Sequence, residues 1–255
     1  MNLLAADKLH ASIGNKPICR DLDFTVQAGQ CWGILGANGA GKTTLLHTLA
    51  GLRRAVAGRI NLRDRPLDQW SMAELARFRG VLFQDSHDTF PATVMETVLT
   101  GRHPYLHFWE FESRRDYETA RQALRQVELR DMESRRVDTL SGGERRRLAL
   151  ATLLVQAPQL LLLDEPSNHL DLRNQVRLLD DLCRQTIARE GALIMSLHDV
   201  NLAQRFCSHV ILMFGDGAVC TGAITDTLSE DTVSRLYNYP VHAVQDGNRV
   251  LYSPD

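Results

Sequence analysis

The 255-residue chain has little of several features that mark a membrane span, a secreted protein or a nucleic-acid binder. No apolar run approaches the roughly 18 to 20 residues that a helix needs to cross a bilayer. The residues after Met1 form neither a basic leader nor an apolar core of secretory length, so we expect the protein to stay in the cytosol. Lys and Arg (29) are nearly balanced by Asp and Glu (31). This balance argues against nucleic-acid binding through bulk positive charge.

Cysteine is scarce, and its five residues are widely scattered. They are Cys19, Cys31, Cys183, Cys207 and Cys220, with no C-x-x-C pair among them. This spacing predicts buried free thiols rather than disulfides or a metal site. The apolar fraction of 44% and the charged fraction of 24% are those of an ordinary globular protein, so we expect a sizeable core.

The pattern of apolar residues predicts an α/β fold. Weak alternation over the first thirty residues indicates antiparallel strands. Four apolar runs predict buried strands, at 31–35, 160–163, 192–197 and 210–214. Helical segments separate these runs, which is typical of a β-α-β arrangement with a mostly parallel sheet. No convincing strand lies in 93–140, where 117–127 reads as an amphipathic helix, so we expect a helical insertion.

A glycine-rich segment between a predicted strand and a predicted helix matches the phosphate-binding pattern G-x-x-x-x-G-K-[ST]. Its residues are Gly36, Ala37, Asn38, Gly39, Ala40, Gly41, Lys42, Thr43 and Thr44. The glycines let backbone N–H groups turn toward phosphate oxygens, and the helix N-terminus adds partial positive charge. Lys42 would neutralise the β and γ oxygens, and Thr43 would offer a hydroxyl to Mg²⁺. The pattern therefore predicts a nucleotide phosphate site.

Two adjacent acids, Asp164 and Glu165, follow the all-leucine run 160–163. Neighbouring carboxylates at the mouth of a sheet repel each other unless a cation is near. Beside a phosphate loop, Asp164 is the natural outer ligand of Mg²⁺, and Glu165 can orient and polarise the attacking water. The alternative is that these acids only cap the next turn.

The string Leu140-Ser141-Gly142-Gly143-Glu144 has both a structural and a functional interpretation. Ser141 and Glu144 form an S-x-x-E capping box that would open the next helix. Gly142 and Gly143 weaken this helix start by roughly 1 kcal/mol each relative to Ala. That cost favours close approach of another group to the backbone, and bare N–H groups at a helix N-terminus bind anions. We therefore expect a second anion site for the same nucleotide.

Together these strings resemble the ATP-binding subunit of ABC transporters, over nearly the whole chain. The phosphate loop corresponds to Walker A, 140–144 to the signature, and Asp164 with Glu165 to Walker B. Gln84 corresponds to the glutamine loop, and 167–171 to the D-loop. His198 stands in the family's order and spacing as well.

This resemblance implies a P-loop NTPase with a RecA-like core, an N-terminal antiparallel β-subdomain and an inserted helical subdomain. Residues 1–255 would form one domain. The core would comprise 1–92 and 158–255, and the helical signature subdomain would comprise 93–157.

The resemblance also implies an Mg²⁺-dependent ATPase that works as a head-to-tail dimer with a second copy or a paralogue. The signature residues Ser141, Gly142, Gly143 and Glu144 of one copy would close over ATP held by the other. Glu165 and His198 would act on the γ-phosphate and its attacking water. Mg²⁺ would be held by Thr43, Gln84 and Asp164. Gln84 would also position water and couple to the membrane subunit, and the D-loop residues His169 and Asp171 would communicate across the dimer.

One position departs from the family pattern. Many relatives stack an aromatic residue on adenine in a serine-aromatic-glycine context, and here Ser12-Ile13-Gly14 places Ile13 on the adenine side. Isoleucine can pack on a purine but lacks a π surface, so we expect looser base selectivity and lower nucleotide affinity.

Several strings resemble the ATPases of bacterial importers for iron-siderophores, haem and cobalamin, at 93–98, 101–106, 167–171 and 198–203. This implies a subunit bound to the cytoplasmic face of the inner (plasma) membrane through separate transmembrane permease subunits. A periplasmic or surface solute-binding protein would be an indirect partner, and no nucleic-acid partner is expected. Aromatic residues in 90–111 suggest a partner surface, although a small core at 108–111 is the alternative. Two alternative functions stay open: a soluble ABC ATPase that moves no solute, and the ATPase of an exporter.

Overall fold

The computed structural model describes residues 1–84, 91–107, 109–168, 170–247 and 249–254, with Arg249 described by its backbone alone. Phe90 and Phe108, the first aromatic residues of the ranges 90–111 and 108–111, lie outside the described residues, and so does His169 of the D-loop. Among the helices of this described part, none is long and apolar enough to cross a membrane.

The secondary structure alternates strands and helices after an initial strand pair. The strands are β1 (Asn2–Ile13), β2 (Lys16–Gln27), β3 (Cys31–Gly36), β4 (Ala57–Leu62), β5 (Arg65–Pro66), β6 (Arg79–Leu82), β7 (Leu160–Leu163), β8 (Ala192–Ser196), β9 (His209–Met213), β10 (Val219–Ala223), β11 (Val241–Asp246) and β12 (Arg249–Pro254). The helices are α1 (Lys42–Leu49), α2 (Met72–Phe78), α3 (Val94–Leu99), α4 (Arg114–Gln126), α5 (Gly142–Gln156), α6 (Leu172–Ala188), α7 (Val200–Phe206), α8 (Ile224–Thr227) and α9 (Glu230–Tyr237). Short 3₁₀ turns lie at Leu67–Gln69, Thr100–Tyr105 and Val137–Thr139.

A four-stranded antiparallel sheet contains the first two strands, in the order β2-β1-β4-β5. β1 and β2 are joined by a turn at Gly14, whose φ of 56° is left-handed. This confirms the antiparallel strands predicted for the first thirty residues. β4 and β5 were not predicted, because β4 begins with three exposed residues and β5 has only two residues.

The central sheet has six strands in the order β10-β9-β3-β8-β7-β6, and all neighbours from β9 to β6 pair in parallel. Only the edge strand β10 is antiparallel. Every residue of β3, β7 and β8 is buried, as expected for strands covered on both faces. The mostly parallel sheet predicted from the sequence is confirmed.

Two apolar clusters cover the opposite faces of the central sheet. Alternate residues of β8 point to different clusters, with Leu193 and Met195 in one and Ala192 and Ile194 in the other. The first cluster includes α3 to α7, and the second includes α1 and the antiparallel sheet. Because β3, β6, β7 and β8 run parallel, they end at the same edge of the sheet, and the loops that follow them meet there.

The helical segment α3 to α5 contains no strand among its described residues and packs its apolar sides together. Helix α4 begins at Arg114, earlier than the predicted 117, because Ser113 forms a capping box with Asp116. Helix α5 ends at Gln156, and its C-cap residue Ala157 has a left-handed φ of 51° before Pro158. The bounds 93–157 of a helical subdomain stay a prediction.

The alternative of a small core at 108–111 does not hold for Trp109 and Phe111. Trp109 is 87% exposed and Phe111 is 89% exposed, so neither packs into a core.

All five cysteines are free, as predicted, and four of them are buried. Cys220 is only partly buried, because it lies on the edge strand β10.

Candidate functional site

The phosphate loop lies between β3 and α1, as predicted. Gly41 has a φ of 100°, and a Cβ built there would lie 2.6 Å from the Ile18 side chain. A Cβ at Gly36 would lie 2.7 Å from the backbone oxygen of Met213. These two positions therefore require glycine. Within the described part of the chain no side chain caps the start of α1, so its first N–H groups stay available for an anion.

Lys42 is buried inside the loop and is only 6% exposed. Its ammonium donates hydrogen bonds to the backbone oxygens of Gly36 at 2.8 Å and Ala37 at 3.3 Å. Burial lowers the pKa of Lys42, and the negative charges of Glu165 and Asp164 oppose this shift. A bound triphosphate would add negative charge and favour the ammonium form further.

Asp164 is fully buried at the end of β7. Its Oδ1 accepts a hydrogen bond from the Ser196 hydroxyl at 2.6 Å. Its Oδ2 is also buried, and no group in the described part of the chain donates to it. Because a buried carboxylate oxygen without a partner is costly, this atom fits a cation-binding role. Carboxylate oxygen is a ligand that Mg²⁺ prefers, so the residues present fit this ion.

Glu165 is 8% exposed, and three side chains contact its carboxylate. Oε1 lies 2.5 Å from Nε2 of His198. Oε2 accepts hydrogen bonds from the side-chain amides of Gln84 at 3.3 Å and Asn168 at 3.0 Å. The structure therefore brings Gln84 and His198 to Glu165 from the loops that follow β6 and β8, and their roles in a shared site stay a prediction.

An open cleft of about 700 Å³ joins these groups. It is lined by Ile13, Asn38, Gly39, Gly41, Lys42, Thr43, Thr44, Gln84, Glu165, Asn168 and His198. The volume is typical of a small-ligand site. Ile13 is 45% exposed and lies at the rim near the β1–β2 turn. The predicted phosphate loop and the predicted adenine-side residue thus border the same cleft.

The signature residues lie elsewhere on the chain and do not line this cleft. Ser141 caps α5, and its backbone N–H donates a hydrogen bond to the carboxylate of Glu144 at 2.7 Å. That N–H, the Ser141 hydroxyl and the charge of Arg135 hold the pKa of Glu144 below its usual value. A Cβ built at Gly142 or Gly143 would meet no atom of the described residues within 4 Å. Packing within the chain therefore does not require these glycines.

Asp171 also lies outside the cleft lining. Its Oδ1 accepts a hydrogen bond from the backbone N–H of Asn174 at 2.8 Å, and this cap starts α6 at Leu172. The described structure thus gives Asp171 a local structural contact, and its role across a dimer stays a prediction.

A family model described as ABC transporter matches residues 19–168, which is more than half of the chain. The chain belongs to the ABC transporter ATP-binding family. It is therefore an ABC-type ATPase.

The ABC ATPase is similar to two curated proteins over nearly its full length. The hemin import ATP-binding protein HmuV of Escherichia coli O157:H7 is 34% identical over 250 residues, covering 96% of this chain and 95% of HmuV. YusV of Bacillus subtilis, assigned as the ATP-binding protein of a siderophore transport system, is 31% identical over 246 residues. The match covers 96% of this chain and 90% of YusV.

A solved structure of an ABC transporter, assigned to the metal-chelate type and seen in an inward-facing conformation, superposes with a TM-score of 0.85. The superposition covers 100% of this chain and 98% of the other, at 24% identity. This likeness confirms the P-loop NTPase fold.

Three residues around Glu165 were not assigned a role from the sequence. Asn168 and Ser196 lie within strings that were quoted above, and Arg146 follows the signature. Ser196 stands two positions before His198, at the end of a buried strand, and that position could have suggested it. No sequence signal separates Arg146 from its neighbours Arg145 and Arg147.

Proposed function

We propose that this ABC ATPase is the energy-supplying subunit of a bacterial importer that takes up a metal chelate through a separate membrane permease. The observation that carries the proposal is one cleft lined by the phosphate loop, Gln84, Glu165 and His198. The names of the relatives, hemin import and siderophore transport, favour iron-siderophore or haem as the solute. Cobalamin stays a further candidate, from the sequence resemblance alone.

The phosphate loop binds ATP in this proposal. The backbone N–H groups of Gly36–Thr44 and the ammonium of Lys42 contact the phosphates. Mg²⁺ would be held by Thr43, Gln84 and the free Oδ2 of Asp164, and it would supply positive charge that stabilises the phosphate oxygens. Ile13 packs on adenine without stacking on it as an aromatic ring would.

Glu165 is the general base in this proposal. Its carboxylate takes a proton from water as the water oxygen attacks the γ-phosphorus, and the bond from that phosphorus to the β–γ bridging oxygen breaks. Two amides, from Gln84 and Asn168, hold one carboxylate oxygen, so the direction of the other is set. His198, 2.5 Å from that second oxygen and 46% exposed at its side chain, can also reach the phosphate.

The signature would act on ATP held by a second chain. Ser141, Gly142 and Gly143 lie outside the cleft lining, and open space surrounds both glycines. A phosphate from a second copy or a paralogue can therefore approach the start of α5 without a steric clash. In the closed head-to-tail dimer the site excludes bulk water, and its closing and opening would drive the permease.

The permease would dock beside the exposed aromatic residues Trp109 and Phe111. Large apolar side chains of this exposure are typical of interaction surfaces. The 3₁₀ turn Thr100–Tyr105 lies close by, with Arg102 and Tyr105 lining a groove that also includes Phe111. The chain would thus sit on the cytoplasmic face of the membrane, peripherally.

The experiment is transport in vesicles that hold this chain with a candidate many-spanning permease and a candidate solute-binding protein from the same genome. With ATP on the side of this chain, we expect uptake of haem or a ferric siderophore, and the matched Glu165→Gln vesicles should show none. Cobalamin serves as the alternative solute. ATP hydrolysis that ignores the permease, together with failure of the two to co-purify, would favour an ABC ATPase that moves no solute. ATP-driven movement in the opposite direction would favour an exporter.

A further inference from the structure

The backbone of Glu165 is held in a conformation that side-chain-bearing residues rarely adopt. Its φ is 47°, in the left-handed region. Such a conformation persists only where the surroundings hold it, and it is common at functional sites. Glu165 is the second residue after β7, so this bend sets the direction in which its side chain leaves the sheet.

Ser196 holds this backbone on its N–H side. The Ser196 hydroxyl accepts a hydrogen bond from the N–H of Glu165 at 2.8 Å and donates one to Oδ1 of Asp164 at 2.6 Å. Ser196 is fully buried, so water cannot replace either bond. A single hydroxyl therefore fixes both acids of the pair.

Arg146, on the signature helix α5, holds the same backbone on its carbonyl side. One guanidinium nitrogen donates to the backbone oxygen of Glu165 at 2.7 Å and to that of Asp164. The other terminal nitrogen, Nη1, donates to the backbone oxygen of Phe83 and, at 3.3 Å, to that of Gln84. Arg146 thus joins the signature helix to the loops after β6 and β7, which supply Gln84 and Glu165.

We infer that Ser196 and Arg146 are positioning residues that hold the left-handed backbone of Glu165, and thereby direct its carboxylate, for ATP hydrolysis. This inference rests on the proposed role of Glu165 as the base. Without the two bonds, the Glu165 backbone can relax toward negative φ. The carboxylate would then leave the contacts that it makes with Gln84, Asn168 and His198.

The test compares kcat with KM and with the ATP dissociation constant in six variants, four at Ser196, Arg146 and Glu165 and two as controls. Ser196→Ala removes both hydroxyl bonds, and we expect kcat to fall about tenfold to a hundredfold, since a 1 Å displacement of a reacting group costs about this much. ATP binding should stay within about twofold, because Lys42 keeps its loop contacts. Ser196→Thr retains the hydroxyl and should recover most of kcat.

Arg146→Lys is the independent variant, on a side chain that is only partly buried. The lysine ammonium cannot reach all four carbonyl oxygens, so we again expect a lower kcat with little change in ATP binding. Ser208→Ala is the matched serine control. The Ser208 hydroxyl accepts a hydrogen bond from the backbone N–H of Cys31 and donates one to the backbone oxygen of Cys31. These bonds lie at the end of the central sheet opposite to the site. Arg121→Lys, in an exposed ion pair on α4, is the matched arginine control.

Glu165→Gln, measured in parallel, tests the role of Glu165 separately from the positioning role of Ser196 and Arg146. Normal turnover by Glu165→Gln overturns the role of Glu165 itself. An inactive Glu165→Gln together with normal kcat in Ser196→Ala and Arg146→Lys overturns only the positioning role. If Ser196→Ala or Ser196→Thr does not fold, Arg146→Lys decides: an unchanged kcat overturns the inference, and a kcat at least tenfold lower supports it.

Discussion

Asp164→Asn should separate the magnesium-dependent part of ATP binding from the magnesium-independent part. Asp164 is fully buried, with Oδ1 bonded to Ser196 and Oδ2 without a partner among the residues described. Asparagine has nearly the same shape, and its oxygen can still accept the hydrogen bond from Ser196. The variant should therefore fold, and the main loss is one negative charge.

The size of the effect follows from that charge. Two unit charges about 4 Å apart interact by about 4 kcal/mol at an effective dielectric constant of about 20. Hydration of Mg²⁺ offsets much of this, so we expect a net loss of about 1.4 to 2.8 kcal/mol, or about tenfold to a hundredfold weaker Mg²⁺-ATP binding. Without Mg²⁺, the substitution removes a negative charge that acts on Lys42 in the phosphate loop. ATP alone should then bind equally well or more tightly.

The assay is titration calorimetry of ATP binding with Mg²⁺ and with EDTA. Asp180→Asn is the matched control, because Asp180 lies on α6 in an exposed ion pair with Arg184. It should bind ATP as the unchanged protein does in both buffers. Equal weakening of Asp164→Asn in both buffers, or full affinity with Mg²⁺, would refute the assignment of Asp164 to the metal.

Three further outcomes are expected. Lys42→Ala should weaken ATP binding at least about tenfold with or without Mg²⁺, and retained affinity in calorimetry would show that the interpretation of the loop is wrong. Ile13→Tyr should tighten ATP binding about threefold to tenfold by stacking; an unchanged or weaker dissociation constant would contradict its place beside adenine. Arg65 and Ser71 lower the pKa of Glu74 to about 2, so its contribution to stability is present above its usual pKa and is lost as the pH falls toward 2. Urea unfolding should show a smaller loss between pH 5 and pH 2 in Glu74→Gln than in the unchanged protein; equal losses would contradict this.

The phosphate loop and the central strands could be predicted because local sequence determines them. The loop needs glycine at positions 36 and 41 for steric reasons, and Lys42 must follow at once to reach the phosphates. The buried strands have apolar residues on both faces, so β7 stands out as four leucines. Parallel strands end at one edge, and this places Glu165 and His198 together.

Other features depend on contacts between distant residues and could not be predicted. The hairpin β11–β12 was missed because five of the six residues of β11 are exposed, so no buried alternation marks it. Arg146 lies in a run of three arginines, and only the folded chain shows which one reaches the carbonyl oxygens of Gln84 and Glu165. The left-handed backbone of Glu165 also has no sequence signal, because glycine is the residue expected there.

The most direct measurement is steady-state ATP hydrolysis by Glu165→Gln, with ATP binding measured on the same preparation. Glutamine keeps the length of the side chain but cannot accept a proton from water. We expect ATP binding to be retained and kcat to fall about a hundredfold to ten-thousandfold, which is the usual contribution of a general base. Turnover within about threefold of the unchanged protein would contradict the proposal that Glu165 activates the attacking water.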